Sequence, residues 1–226
     1  MPEPRILETY VGEYASGKSE NAINRSLQLA RAGRRVRLVD LDLVEPFYTL
    51  RPLKRKLEGA GLEVIGWETD EMVGLGEAAI PFKKEMARAL AYDGDVIVDL
   101  GYGVEGRQLL NLIEGSSGSG VAGGPFRLIM VINTTRPLTS SLPLIGAYLQ
   151  EFGPVDGLLN NTHLGEETTA ELVQEGAVLV TEAAEQRGLP VVATAALVPY
   201  AREIGTHDRL GNPVRPLVRY MQDAFW

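Results

Sequence analysis

Gly12-Glu13-Tyr14-Ala15-Ser16-Gly17-Lys18-Ser19 is the stretch that decides the reading of this chain. It fits the spacing G-x-x-x-x-G-K-[ST]. The apolar run Ile6–Val11 precedes it, and helical periodicity follows it over Asn21–Ala32, so the loop joins a strand to a helix. Glycines let such a loop curl until successive backbone N–H groups point inward at phosphate oxygens. The helix that begins near Lys18 adds the positive end of its dipole at the same place. Lys18 then neutralises the β- and γ-phosphates, and the Ser19 hydroxyl can ligate Mg²⁺. The rival reading is a glycine-rich turn that carries Lys-Ser by coincidence, and the correct flanks weigh against it.

Outward from the loop, short apolar runs alternate with longer helical segments. The runs are Ile6–Val11, Val36–Leu41, Leu62–Ile65, Val96–Leu100, Leu128–Ile132, Val155–Leu159 and Val191–Thr194. Several are nearly continuous, as strands covered on both faces are. Helices are predicted at Asn21–Ala32, Tyr48–Gly59, Ile80–Tyr92, Gly106–Ile113, Ser140–Glu151, Thr168–Arg187 and Val214–Phe225. Thr168 is expected to cap its helix, with Glu171 completing a capping box. The glycine- and serine-rich stretch Gly115–Pro125 reads as a surface loop. Alternation of this kind predicts one doubly wound, mainly parallel α/β domain over residues 1–226, with helices on both faces of the sheet.

Two acidic motifs fall at predicted strand ends, where a nucleotide site with magnesium needs them. Asp40 and Asp42 stand in Val39-Asp40-Leu41-Asp42, and alternation puts both on one face. Asp99 ends the run Val96–Leu100 and is followed by Gly101-Tyr102-Gly103. On this reading Asp99 holds metal through water, and the Gly103 N–H can sense a γ-phosphate. Capping aspartates at a polar strand end are the bland alternative for Asp40 and Asp42.

Composition closes off other classes. The chain has 226 residues, 45% of them hydrophobic and 23% charged, a soluble globular balance. It contains no cysteine, so disulfides, thiolate metal sites and cysteine nucleophiles are excluded. Only His163 and His207 offer imidazole. The formal charge of -8 argues against an extended nucleic-acid surface. No apolar run approaches the roughly 18 residues of a membrane span, and a cytoplasmic protein is expected. The apolar stripe over Val214–Phe225 reads as core packing rather than a membrane-binding helix.

GEYASGKS, VDLDLVEPF and DLGYG, in this order, resemble the MinD/ParA/CobQ-type nucleotide-binding domains of the SIMIBI class of P-loop NTPases. The resemblance covers roughly residues 5 to 200. It implies that Asp40 and Asp42 help to place Mg²⁺ and the attacking water, and that Asp99 is the Walker B aspartate. It implies that Asn160 or Asn161 reads the base, and that Val198-Pro199-Tyr200 is a loop closing over it. It departs at Glu13, where relatives carry a second lysine that reaches across an ATP-bound dimer. Such a carboxylate is expected to face solvent or a basic neighbour, with slow hydrolysis and no sandwich dimer through this position. The likeness is nearest to bacterial ATP-binding members whose loop is a plain G-K-[ST].

The resemblance therefore implies a Mg-ATP-binding ATPase working as a switch or regulator. No N-K-x-D segment is present, which favours ATP over GTP. Two alternatives stay open. One is ATP-dependent transfer to a small acceptor held by Arg51, Arg107 and Arg136; the other is a nucleotide-binding module that regulates a partner without hydrolysis. A protein partner is expected, and any homodimer would use another surface, such as the C-terminal helix.

Overall fold

Runs rich in Val, Ile and Leu become strands because their branched side chains pack well on a sheet covered from both sides. The computed structural model describes residues 4–42, 50–67, 83–101, 103–114 and 127–221. Glu45–Phe47, Tyr102, the Gly115–Pro125 loop and parts of three expected helices lie outside them. The strands are β1 (Leu7–Gly12), β2 (Val36–Leu41), β3 (Glu63–Ile65), β4 (Asp95–Leu100), β5 (Arg127–Ile132), β6 (Gly157–Asn160), β7 (Val191–Leu197) and β8 (Val214–Leu217). They form one sheet in the order β3-β2-β4-β1-β5-β6-β7-β8, and every pairing is parallel.

The helices are α1 (Lys18–Arg31), α2 (Lys54–Gly59), α3 (Lys84–Ala87), α4 (Gly103–Gln108), α5 (Leu142–Phe152), α6 (Ala170–Arg187) and α7 (Val198–Ile204). Right-handed crossovers decide which face each covers. The chain runs one way along the sheet from β1 through β2 to β3, and α1 and α2 cover one face. There Ile23, Leu27 and Leu57 pack on Tyr10, Leu38, Ile97, Ile129 and Leu159. It then reverses, and residues of α3, α5 and α6 cover the other face. Met86, Ile145, Leu149 and Val180 pack there on Val11, Val39, Val98, Met130 and Leu158. Adjacent strand residues thus serve opposite cores, which explains the unbroken apolar runs. Each large side chain buried this way contributes about 1.5–3 kcal/mol. The reversal leaves a crevice at the carboxyl end of β1, where ligands bind in sheets of this kind.

Three local expectations are corrected. The segment from Val214 is not a helix: Val214–Leu217 pairs with Thr194–Leu197 as edge strand β8, where Pro216 is tolerated because an edge needs fewer donors. Val218–Met221 follows as an irregular strap, and 222–226 lie outside the described residues. The strap is pinned to α1: Asn24 exchanges two hydrogen bonds with the Val218 backbone, and Glu20 accepts from the Tyr220 and Met221 amides. Val198-Pro199-Tyr200 is the first turn of α7 rather than a loop, since proline suits the first helical positions. The cap of α6 is Thr169, which accepts from the Leu172 amide; Thr168 instead closes the preceding turn through Leu164 N and Gly165 O.

No helix among the described residues is long and apolar enough to cross a membrane.

Candidate functional site

The loop Gly12–Ser19 lies between β1 and α1, at the crevice. Its curl is written in three backbone angles: Gly12 at φ +153°, Ala15 at +55° and Gly17 at +91°. A side chain on Gly12 would stand 2.5 Å from the Val131 carbonyl oxygen, so β5 leaves room only for hydrogen there. Alternation of left- and right-handed residues turns successive amides toward one concavity, which is how a backbone binds anions. Lys18 and Ser19, in the first turn of α1, are buried. The Lys18 ammonium donates to the Glu13 carbonyl at 3.2 Å, folding the side chain back over the loop. Ser16 is buried, Ala15 nearly so, and Tyr14 stands 43% exposed at the rim.

Asp99 lies fully buried on β4, beside β1. Neither of its oxygens reaches full hydrogen-bond geometry with a described residue, and the Ser19 hydroxyl is the polar group nearest to it. Burial pushes its pKa well up, and the charges of Asp40 and Asp42 push it further; the Ser19 hydroxyl and Lys18 oppose them. A buried carboxylate so thinly satisfied is costly unless a cation completes it. Ser19, with Asp99 acting through water, would be the residues to hold a Mg²⁺ that meets that requirement. No group of three or more histidine, aspartate or glutamate side chains among the described residues could hold a metal. The metal would therefore depend on Ser19, water-bridged Asp99 and phosphate oxygens.

Asp40 faces Asp99 across the β2–β4 register, and Asp42 is buried beside it. One Asp40 oxygen accepts from the Asp42 amide at 3.0 Å, and the other lies 3.6 Å from Arg51 Nε. Burial raises the Asp40 pKa to about 7 against the pull of Arg51. Gly103, at φ +72°, opens α4 just beyond Asp99; a side chain there would meet nothing among the described residues, and its backbone angle calls for glycine. Arg107 is turned elsewhere: its guanidinium bonds the Phe152 carbonyl at the end of α5.

The two asparagines separate. Asn160 is fully buried and binds Val173 O and the Thr162 amide and hydroxyl, a structural role. Asn161 Nδ2 donates to Ser16 O at 2.8 Å, tying β6 to the phosphate loop. A side chain at Gly17 would come within 2.2 Å of that amide nitrogen. Asn161 also lines a cleft with Gly17, Glu20, His163, Ala196, Leu197 and Arg219, among others. Pro199 is exposed and does not line it. The strap forms one wall, anchored by Glu20 and Asn24 of the same helix that carries Lys18. Burial lowers the His163 pKa to about 4, and nearby Arg136 and Arg219 add to this, so the ring is neutral at pH 7. Sequence reading missed the strap, because its hydrogen bonds span about two hundred residues.

Glu13 does not face solvent or a basic neighbour. It is 5% exposed; one oxygen accepts from the Leu138 amide and the other from the Thr139 hydroxyl, both at 3.0 Å. The carboxylate is satisfied by neutral donors of the 3₁₀ turn Pro137–Thr139 after β5. It thus tethers the phosphate loop to the neighbouring strand's loop.

No family model matches the sequence, and no curated protein matches it. Solved structures do. The signal recognition particle receptor FtsY from Elizabethkingia anophelis superposes with a TM-score of 0.55 at 17% identity, over 84% of this chain and 58% of that one. Its complex with GDP gives 0.51 at 16% identity, covering 84% and 57%. The cell division protein FtsY from Thermotoga maritima gives 0.50 at 17%, covering 84% and 61%. The chain therefore spans less than two thirds of the length of these structures. Likeness at such identity speaks to architecture alone, and the architecture is the doubly wound, parallel α/β fold of P-loop NTPases.

Proposed function

We propose that this protein is a Mg-ATP-binding P-loop ATPase of the SIMIBI class, nearest to MinD/ParA/CobQ-type proteins, that works as a nucleotide-dependent switch. The observation that carries the reading is Asp99, a fully buried carboxylate whose oxygens lack well-formed hydrogen bonds, beside Ser19 and Lys18 at the mouth of the phosphate loop. In this reading the loop amides from Glu13 to Ser19 bind phosphate oxygens, and Lys18 neutralises the terminal phosphates. Ser19, with Asp99 through water, would hold magnesium, which would supply charge neutralisation to the transferred phosphoryl group. Asp42 or Asp40, both buried beside Asp99, orients the water.

Asn161 is the residue placed to read the base. Its nitrogen is committed to Ser16 O, which leaves Oδ1 as an acceptor for a base amine; adenine and guanine both carry one, so the preference for adenine rests on the absence of an N-K-x-D segment. A GDP complex among the similar structures makes GTP the competing ligand. Transfer to a small acceptor loses support: of the three arginines suggested for it, Arg107 holds a helix end and Arg51 is bound to the β2 end.

The test is titration of fluorescent ATP and GTP analogues with wild type and Lys18→Ala. Wild type should bind ATP more tightly in magnesium, and Lys18→Ala should abolish binding of both. Unchanged affinity in Lys18→Ala refutes the site. ATP turnover without an acceptor supports a switch, and turnover that needs one supports a transferase.

A further inference from the structure

His163 presents an unbonded imidazole to the cleft beside the phosphate loop. It follows Asn161 by two residues on the chain leaving β6, and both side chains line that cleft together with Gly17 of the loop. Its backbone is fixed from behind. The His163 amide donates to Asn133 Oδ1 at 3.2 Å, and its carbonyl accepts from Asn133 Nδ2 at 3.2 Å and from the Thr135 hydroxyl at 2.8 Å. Asn133 is itself fully buried. The ring is held by no such bond: among the described residues neither of its nitrogens has a hydrogen-bond partner. A half-buried ring on a clamped backbone, with both nitrogens open, is presented to whatever fills the cleft.

A neutral imidazole offers one N–H and one lone pair, and its surroundings set which nitrogen carries the proton. Arg136 acts on the ring more strongly than Arg219 does, and it stands outside the cleft wall, whereas Arg219 lines it. The Arg136 guanidinium makes no hydrogen bond or ion pair among the described residues, and its Nε is buried. Such a cation draws the lone pair to its own side, which leaves the N–H facing the cleft. Asn161 supplies the complement: with Nδ2 on Ser16 O, its Oδ1 is an acceptor. An acceptor beside a donor matches the amine of adenine together with either ring nitrogen next to it, N1 or N7. Guanine fails on both corresponding edges, because its N7 lies beside a carbonyl oxygen and its N1 carries a hydrogen.

We infer that His163 donates a hydrogen bond to a ring nitrogen of the base and, paired with Asn161, makes the cleft select adenine over guanine. This rests on the nucleotide-binding reading above and adds to it the residue that sets the base. Arg136 is a positioning residue that orients the imidazole. The rival role is structural, with His163 doing no more than filling the turn before α6.

Calorimetric titration with ADP, GDP and pyrophosphate, all in magnesium, separates the two roles. The proteins are wild type, His163→Phe, His163→Ala and Arg136→Met, each checked for fold by circular dichroism. Wild type should prefer ADP to GDP. Loss of one hydrogen bond to the base should weaken ADP about five- to tenfold in both His163 variants, with GDP and pyrophosphate within about twofold of wild type. Arg136→Met leaves the ring in place and frees its tautomer, so the ADP-to-GDP affinity ratio should fall by a smaller factor through a gain in GDP. Equal weakening of ADP and pyrophosphate, or an unchanged ratio in the His163 variants that fold, overturns the inference and leaves the nucleotide reading standing. Wild type that prefers GDP overturns it as well, and an unchanged ratio in Arg136→Met overturns the orienting role of Arg136. Wild type that binds neither nucleotide overturns both the inference and the reading it rests on.

Discussion

Glu13→Ala cuts the tether between the phosphate loop and the turn after β5, and its cost can be worked from the geometry. Two bonds at 3.0 Å are lost, from the Leu138 amide and the Thr139 hydroxyl. A hydrogen bond to a charged group contributes about 1.5–3 kcal/mol. The Thr139 hydroxyl can still donate to the Asn133 carbonyl at 2.8 Å, so its share of the loss is small. The Leu138 amide has no such second partner in that turn, and its loss dominates. The sum is about 2–3 kcal/mol. For a chain of this length that lowers Tm by about 4–12 °C. Glu13→Gln is the informative control. Its carbonyl can accept from Leu138, and its amide can donate to the Thr139 oxygen while Thr139 donates to Asn133. Tm should then fall by less than about 3 °C, the equivalent of under about 1 kcal/mol. Thermal unfolding followed by circular dichroism reads both variants. A Tm unchanged in Glu13→Ala, or as low in Glu13→Gln as in Glu13→Ala, refutes the tether. The same tether leaves no side chain at position 13 to reach another subunit. Light scattering of wild type with ADP, ATP and a non-hydrolysable analogue should show no ATP-driven dimer that Glu13→Ala abolishes.

Further outcomes follow from the site. Asp99→Asn should weaken nucleotide binding in magnesium at least tenfold and in EDTA by less than about threefold, as expected for a group that acts through the metal; equal losses would make Asp99 structural. Gly17→Ala places a methyl group 2.2 Å from Asn161 Nδ2 at a backbone angle of +91°. Left-handed strain of about 1–2 kcal/mol, plus the broken bond to Ser16, should lower stability by about 2–4 kcal/mol in urea unfolding, and base selectivity between ATP and GTP should fall with it. His163 has a folded pKa of about 4, below that of the unfolded chain. As pH falls from about 6.5 to about 4 the unfolded state takes up the proton first, so His163 costs stability over that window, up to about 3 kcal/mol. Urea unfolding at pH 7.5, 5.5 and 4.5 should show a smaller acid loss in His163→Gln than in wild type; parallel profiles would contradict the shift.

Local sequence determined the phosphate loop outright. Its glycines, its lysine and serine, and the strand and helix around it all lie within about thirty residues, and such structure depends on contacts close in sequence. The same holds for Asp99 at the end of an apolar run and for the doubly wound sheet, because runs covered on both faces announce themselves by losing alternation. Tertiary structure decided the rest. Asn160 and Asn161 are indistinguishable as letters; strand pleating sends one into the space beneath α6 and the other toward Ser16, 145 residues away. Glu13 reads as an exposed carboxylate until the turn at Leu138 and Thr139, 125 and 126 residues on, supplies two donors. The stripe Val214, Leu217, Val218, Met221 fits a helix as well as it fits an edge strand and a strap. A free edge on β7 and the side chains of Glu20 and Asn24 chose the strand, since hydrogen bonds offered by a distant neighbour outweigh a weak local preference.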